Sequence, residues 1–203
     1  MSYPHVILIG GAPMSGKTTV ASRLAAKLGY GCLSTDDLGE AIRAVTTKAS
    51  HPHLHPMDRY DYREYYVTRS PDALITDISL EHRALWPAVE RVIRKHATWG
   101  TPSVIEGWSL WPEWVTQLRL PNVRSLWFVA QEQTLHERMG KAEAFYGGAS
   151  DEAAMRDHYL ARSFWYNARL KEAVNTFALT RIALPLRAPV HEIVAMCLEQ
   201  LRR

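Results

Sequence analysis

The apolar residues of this chain fall alternately into short continuous runs and longer stretches at helical spacing. Val6, Ile7, Leu8 and Ile9 read as a buried strand, and Val20, Leu24 and Leu28 follow at i, i+4 and i+8, one face of a helix. Gly29 and Gly31 stop that helix. Cys32-Leu33-Ser34 then reads as a second short strand running into Thr35-Asp36-Asp37, and Leu38, Ile42 and Val45 line one side of a helix expected from Leu38 to Thr46. From Lys48 to Pro71 the periodicity fails, and the stretch, dense in His, Pro, Tyr, Arg and Asp, has the composition of a long functional loop or of short irregular helices.

A long helix opens at Pro71-Asp72, carries Leu74, Ile78, Leu85, Val89 and Val92, and ends before Gly100; Pro87 is expected to kink or divide it. Ser103 to Gly107 is a buried strand ending in an acid and a glycine, and Arg124 to Ala130 is another, leading into a helix through Leu135, Arg138 and Met139. Small and polar residues with Gly147-Gly148 fill Lys141 to Asp151, ahead of a helix from Glu152 to about Val174 whose apolar positions are Met155, Tyr159, Tyr166, Leu170 and Val174. A last strand, Thr180 to Leu184, and an amphipathic helix from Val190 to Leu201 follow. Strands alternating with helices predict an α/β fold with a parallel sheet.

Composition narrows the picture only slightly. The chain has 203 residues, enough for one well-buried core and short for two ordinary domains, so a single domain over 1–203 is expected. At 47% hydrophobic and 22% charged it is globular and soluble in type. A formal charge of +3 and a pI near 8.9 permit an anionic ligand without marking a nucleic-acid binder. Cys32 and Cys197 stand far apart with no metal-binding spacing, and are expected to be buried thiols of a reducing compartment. The early apolar run is too short for a signal peptide or a membrane span, which makes a cytoplasmic location the expectation.

The chemistry is carried first by Gly11-Ala12-Pro13-Met14-Ser15-Gly16-Lys17-Thr18, a complete G-x-x-x-x-G-K-[ST] phosphate-binding loop between a strand and a helix. Its glycines let backbone N–H groups approach phosphate oxygens at a helix N-terminus that already favours an anion. Lys17 offers a mobile positive charge to the terminal phosphates, and the Thr18 hydroxyl is placed to ligate magnesium; Thr19 follows in the same first turn. Asp36, at the end of the second strand, would sit on the ligand side of a parallel sheet and suits a catalytic role. Thr35 and the two aspartates also fit a helix N-cap with an acidic first turn, one of them being the cap. Glu106, at the tip of a strand beside the loop, is placed to hold magnesium directly or through water, or merely caps the next turn.

Other candidates are weaker patterns. Arg59, Arg63 and Arg69, interleaved with Tyr60, Tyr62, Tyr65 and Tyr66, form an anion and ring contact set or, equally, an amphipathic surface helix. His51, His53 and His55 alternate with prolines and read as solvated loop histidines, not metal ligands. Trp108, Trp111 and Trp114 are spaced to share one side of a helical turn as core packing, with Trp108, directly after a strand tip, aimed at an acceptor pocket. Arg156 and Arg162 lie near the glycine-bearing segment, where arginines could close over a transferring phosphoryl group; both also fit as exposed helix charge.

In their order along the chain, the phosphate loop, Ser34-Thr35-Asp36-Asp37, Glu106-Gly107 and the glycine-bearing segment followed by arginines resemble the P-loop small-molecule kinases, which include adenylate, shikimate and gluconate kinases. Ser34-Thr35-Asp36 with Arg43 downstream, and Val104-Ile105-Glu106-Gly107 before Pro112, look most like 2-phosphoglycerate kinase-type proteins. The resemblance implies a P-loop NTPase three-layer sandwich with a five-stranded parallel sheet in order 2-3-1-4-5, an acceptor-binding insert at about 47–100, a short lid at about 141–156, and dependence on ATP and Mg2+. It places the acceptor-activating aspartate on Asp36, the magnesium-network acid on Glu106, and the adenine-contacting and phosphate-clamping arginines on Arg138, Arg156 and Arg162. Shikimate kinases have a further aspartate where this chain has Ser34, which leaves more of the magnesium role to Glu106.

The function expected is transfer of the ATP γ-phosphoryl group to a hydroxyl of a small metabolite, which the charge balance allows to be anionic, with Arg43, Arg63, Trp108 and Asp36 on the acceptor side. Two rival readings share the loop. One is phosphorylation of a polynucleotide 5'-hydroxyl, which needs a basic channel that the modest charge does not suggest; the other is a nucleotide-binding regulatory module without transfer activity.

Overall fold

A computed structural model describes residues 3–57, 61–185 and 188–202. Five strands form one sheet: β1 (Val6–Gly11), β2 (Gly31–Ser34), β3 (Ser103–Gly107), β4 (Val123–Val129) and β5 (Arg181–Ala183). Their order is β2-β3-β1-β4-β5 and every pairing is parallel. This is the order implied by the resemblance. β1 is central, and Val6, Ile7, Leu8 and Ile9 are all fully buried, as a continuous apolar run covered on both faces must be.

The helices are α1 (Lys17–Leu28), α2 (Thr35–Arg43), α3 (Tyr62–Thr68), α4 (Pro71–Thr98), α5 (Pro112–Gln117), α6 (Glu132–Gly140), α7 (Glu143–Tyr146), α8 (Glu152–Thr176) and α9 (Val190–Arg202). They flank the sheet on both sides, with α1 packed on α9 and α4 on α8. α1 stops at Gly29, whose left-handed backbone returns its N–H to the carbonyl of Ala26.

Several local expectations are corrected. α2 begins at Thr35 and ends at Arg43, because Ser34 is its N-cap and accepts from the Asp36 N–H at 3.1 Å. Neither aspartate is therefore the cap, and Val45 lies beyond the helix, 83% exposed. α4 runs unbroken through Pro87, held by Leu85 and Val89 buried on either side of it. Cys32 is exposed because β2 is an edge strand, whereas Cys197 is buried. Of the three loop histidines, His51 and His53 are exposed, but His55 is buried, its Nε2 lying 3.0 Å from Thr46 Oγ1. The three tryptophans share no helix: Trp108 is in the turn after β3, Trp111 is the N-cap of α5, and Trp114 is inside it.

The Tyr-rich stretch does form a helix, α3. Arg59 and Tyr60 lie outside the described residues; Arg69 pairs with Asp77. The glycine-bearing segment is docked on α3: Tyr62 donates to the Phe145 carbonyl at 2.9 Å, and the backbone N–H and hydroxyl of Ser150 donate to Glu64 at 2.9 and 2.6 Å.

Candidate active site

The site lies at the carboxyl ends of β1, β2 and β3, where a parallel sheet opens to ligands. β1 runs into the loop, which is closed by a 3.1 Å hydrogen bond from the Ser15 N–H to the Ala12 carbonyl. Gly16 then takes a left-handed conformation, φ 87°, as the N-cap of α1, and no side chain caps that helix. The first N–H groups of α1 are thus available to an anion. Met14 is also left-handed, φ 63°, and its carbonyl accepts from Arg138 Nη1 at 2.7 Å. Arg138, on α6, therefore braces the loop from outside. Thr19 is exposed on the first turn of α1.

Lys17 is buried and its ammonium reaches back to the Ala12 carbonyl at 3.5 Å. Burial lowers its pKa, and the charges of Glu106 and then Asp36 pull it back up. Thr18 Oγ1 donates to Glu106 Oε1 at 3.1 Å, joining α1 to the tip of β3. Glu106 is 2% exposed, and its second oxygen, like Ser15 Oγ, is buried with no hydrogen-bond partner among the described residues. Burial raises the Glu106 pKa, with Lys17 opposing. A hydroxyl beside a carboxylate with one vacant oxygen is an oxygen donor set that suits magnesium. Gly107 lets the start of α2 approach: a Cβ there would stand 1.6 Å from Thr35 Oγ1, so no other residue fits without moving α2 away.

Asp36 faces the same cleft from the first turn of α2. Its carboxyl is raised above the ordinary value, removal from water outweighing the attraction of Lys17. Asp36 also lines a cavity of about 380 Å³ that extends away from the loop. Arg43 lines it too, with its guanidinium bonded to Glu40 at 2.6 Å and Glu81 at 2.7 Å. Trp108 forms part of the wall, and its carbonyl is held by the Tyr166 hydroxyl. Arg162 reaches the cavity from α8, 4% exposed, its guanidinium stacked over Tyr66, Trp108 and Tyr159 at 4.9, 4.6 and 4.9 Å. It is not the exposed helix charge that its sequence position also allowed.

Two of the sequence candidates stand apart. Arg63 lies over the Tyr62 ring at 4.6 Å and Arg156 over Tyr146 at 5.1 Å, and neither lines the cavity. In their place the structure brings in Glu40, Glu81, His82 and Ser109, which sequence reasoning missed. His82 could have been found: it interrupts the apolar series of α4 at Leu74, Ile78, Leu85 and Val89, and an imidazole on such a face needs partners. No cluster of three or more His, Cys, Asp or Glu side chains suited to a metal occurs among the described residues, and no helix among them is long and apolar enough to cross a membrane.

No family model matches the chain. A 2-phosphoglycerate kinase of Pyrococcus horikoshii is 27% identical over 116 residues, which cover 57% of this chain and 38% of that protein. The chain thus spans well under half the length of the curated relatives it matches. Among solved structures, a gluconokinase from Sinorhizobium meliloti superposes with a TM-score of 0.55 at 19% identity, covering 100% of this chain and 94% of that one. Shikimate kinase from Aquifex aeolicus superposes with a TM-score of 0.52 at 13% identity, covering 97% and 96%. In its sheet order and in its loop with strand-tip acids the chain is similar to P-loop small-molecule kinases, and it shares their fold.

Proposed function

We propose that this protein transfers the γ-phosphoryl group of ATP, with Mg2+, to a hydroxyl of a small metabolite held in the cavity beside Asp36. The observation that carries this reading is the position of Asp36: one carboxylate lines the cavity and also interacts electrostatically with Lys17 of the phosphate loop. A group so placed can take or orient the proton of an acceptor hydroxyl at the point where the donor phosphate ends.

The same geometry supports the remaining roles. Backbone N–H groups at the start of α1, around Gly16, Lys17 and Thr18, would hold the phosphates, and Lys17 would neutralise charge that builds up in transfer. Thr18 and Glu106 would hold the metal, which when bound withdraws charge from the phosphate oxygens. Arg138 braces the loop through the Met14 carbonyl. Arg43 and Trp108 shape the acceptor wall, and Arg162 supplies it with positive charge. Arg63 and Arg156 stay candidates only for a contact made when the glycine-bearing segment moves. A cavity volume of about 380 Å³ suits a small molecule better than a strand of nucleic acid.

The relatives and structural neighbours carry the names of kinases for 2-phosphoglycerate, gluconate and shikimate, so these three compounds are the first acceptors to offer. Magnesium-dependent ADP release that rises with one of them and disappears in Lys17→Ala is the expected result. ATP binding without ADP release above the no-acceptor rate, across these and a wider set of hydroxy compounds, would overturn the transfer reading.

A further inference from the structure

Nine buried side-chain polar atoms lack a hydrogen-bond partner among the described residues, and four of them belong to residues lining the cavity: Thr35 Oγ1, His82 Nε2, Ser109 Oγ and Arg162 Nε. Buried polar groups in folded proteins are almost always paired, so such a concentration around one cavity points to a ligand that completes them. His82 is 1% exposed, Ser109 is 1% and Arg162 is 4%.

The state of His82 follows from its neighbour. The indole N–H of Trp111 can only donate, and it donates to His82 Nδ1 at 3.0 Å. Nδ1 is therefore the acceptor nitrogen and the ring proton sits on Nε2, the atom without a partner. Burial, with the charges of Arg162 and Lys17, lowers the pKa of His82 to about 3, so the ring stays a neutral donor at any working pH. Trp108 ties the group together: His82 meets its ring edge-on at 4.7 Å, and Arg162 stacks over it at 4.6 Å. Arg162 spends one N–H on Tyr66, at 2.9 Å, and has no carboxylate within ion-pair distance among the described residues, unlike Arg43, which has two.

We infer that His82, Ser109 and Arg162 form an oxyanion subsite beside Trp108 in the cavity, which takes a carboxylate or phosphate group of the acceptor, with His82 Nε2–H as the specificity-determining neutral donor. The inference rests on the kinase reading only for the identity of the molecule that enters. Arg162 and His82 Nε2–H can only donate and the Ser109 hydroxyl can do so, and the buried guanidinium, without an ion-pair partner among the described residues, is satisfied best by an anionic oxygen. The acceptor class is then a hydroxy compound carrying an anionic group, not a neutral sugar or nucleoside.

The test has two arms. In the first, protein labelled with 15N on histidine is titrated with sodium acetate and, separately, with inorganic phosphate, without nucleotide. The expected result is that the His82 resonances report an Nε2–H tautomer and move with one anion, naming carboxylate or phosphate as the preferred group, and that the movement is lost in Ser109→Ala. No movement with either anion, or an Nδ1–H tautomer, overturns the inference whether or not the protein proves to be a kinase. In the second arm, with whichever acceptor supports ADP release, His82→Phe is expected to raise the acceptor KM about tenfold, the size of one buried hydrogen bond. The ATP KM stays unchanged, and His82→Gln, which restores an N–H, recovers most of the loss. An acceptor KM unaltered in a folded His82→Phe would mean that the imidazole N–H only packs against the face of Trp108. A null result from both Phe and Gln variants through misfolding leaves the decision to the Ser109→Ala titration.

Discussion

Thr18 Oγ1 donates to Glu106 Oε1 at 3.1 Å, so the last residue of the phosphate loop and the acid at the tip of β3 are already joined before any ligand enters. The second Glu106 oxygen is buried and without partner among the described residues, and burial holds the carboxyl above its ordinary pKa. For an acid whose folded pKa is raised, the stabilising contribution is full below its unfolded pKa and is lost as pH rises through the folded one. At neutral pH Glu106 therefore costs stability that a bound cation would return. Glu106→Gln should raise the melting temperature of the ligand-free protein at pH 7, by roughly 2–4 °C for each kcal/mol relieved in a chain of this size. The same variant should weaken magnesium activation about 10- to 100-fold. A melting temperature that falls, with magnesium dependence intact, would show that the carboxylate serves only Thr18.

In the proposed transfer, Asp36 and Lys17 should bound the pH range from opposite sides. The Asp36 pKa is raised, chiefly by removal from water, and the Lys17 pKa is lowered for the same reason. kcat/KM reports the free enzyme, so its acid limb should lie above the ordinary carboxylate range and its alkaline limb below that of an ordinary lysine. Asp36→Asn should keep ATP binding and lose about 10²–10⁴-fold in transfer. Lys17→Ala should lose about 10²–10³-fold or more in kcat. Full activity of Asp36→Asn with the true acceptor would remove the proton-accepting role.

The parts of the site that sit on regular spacing were open to reading from the chain alone. A continuous apolar run, a glycine-lysine loop and a helix at i, i+4, i+8 allow one local arrangement, and Asp36 and Glu106 follow because strand tips of a parallel sheet face the ligand. The wall of the cavity was much less legible. Glu81 and His82 come from the middle of α4, 45 residues after Asp36 in the case of Glu81, and only the packing of α4 on α8 brings them opposite Arg162. Arg63 and Arg162 show the difference clearly. Both are arginines near tyrosines in sequence, yet Arg63 turns onto its neighbour Tyr62 whereas Arg162 is buried against rings from three separate segments. Local composition carries no sign of which will happen.

Arg138 donates to the Met14 carbonyl from 124 positions away, at the one non-glycine residue of the loop with positive φ. A left-handed conformation costs a residue with a Cβ about 1–2 kcal/mol, and the Arg138 hydrogen bond is what the structure offers against that cost. Arg138→Ala should therefore raise the ATP KM and speed amide exchange in the loop even without nucleotide. If its effect is confined to the nucleotide complex, with unchanged exchange in the free protein, the arginine contacts the ligand and does not brace the loop.

His82 also leaves a signature in stability. Its folded pKa is lowered from 6.5 to about 3, by burial first and then by the charge of Arg162. The unfolded chain takes up a proton at this residue below about pH 6.5 and the folded chain does not, so the folded state loses ground as pH falls. The slope from this one group approaches about 1.4 kcal/mol per pH unit once the pH is well inside the window. Chemical denaturation of the wild type and of His82→Gln between pH 7 and 4.5 should show the wild type losing stability more steeply, the two curves diverging as acid is added. Carboxylates common to both proteins cancel in the difference. Parallel curves would mean that the imidazole is protonated in the fold, and with it that Trp111 does not hold the ring in the neutral form.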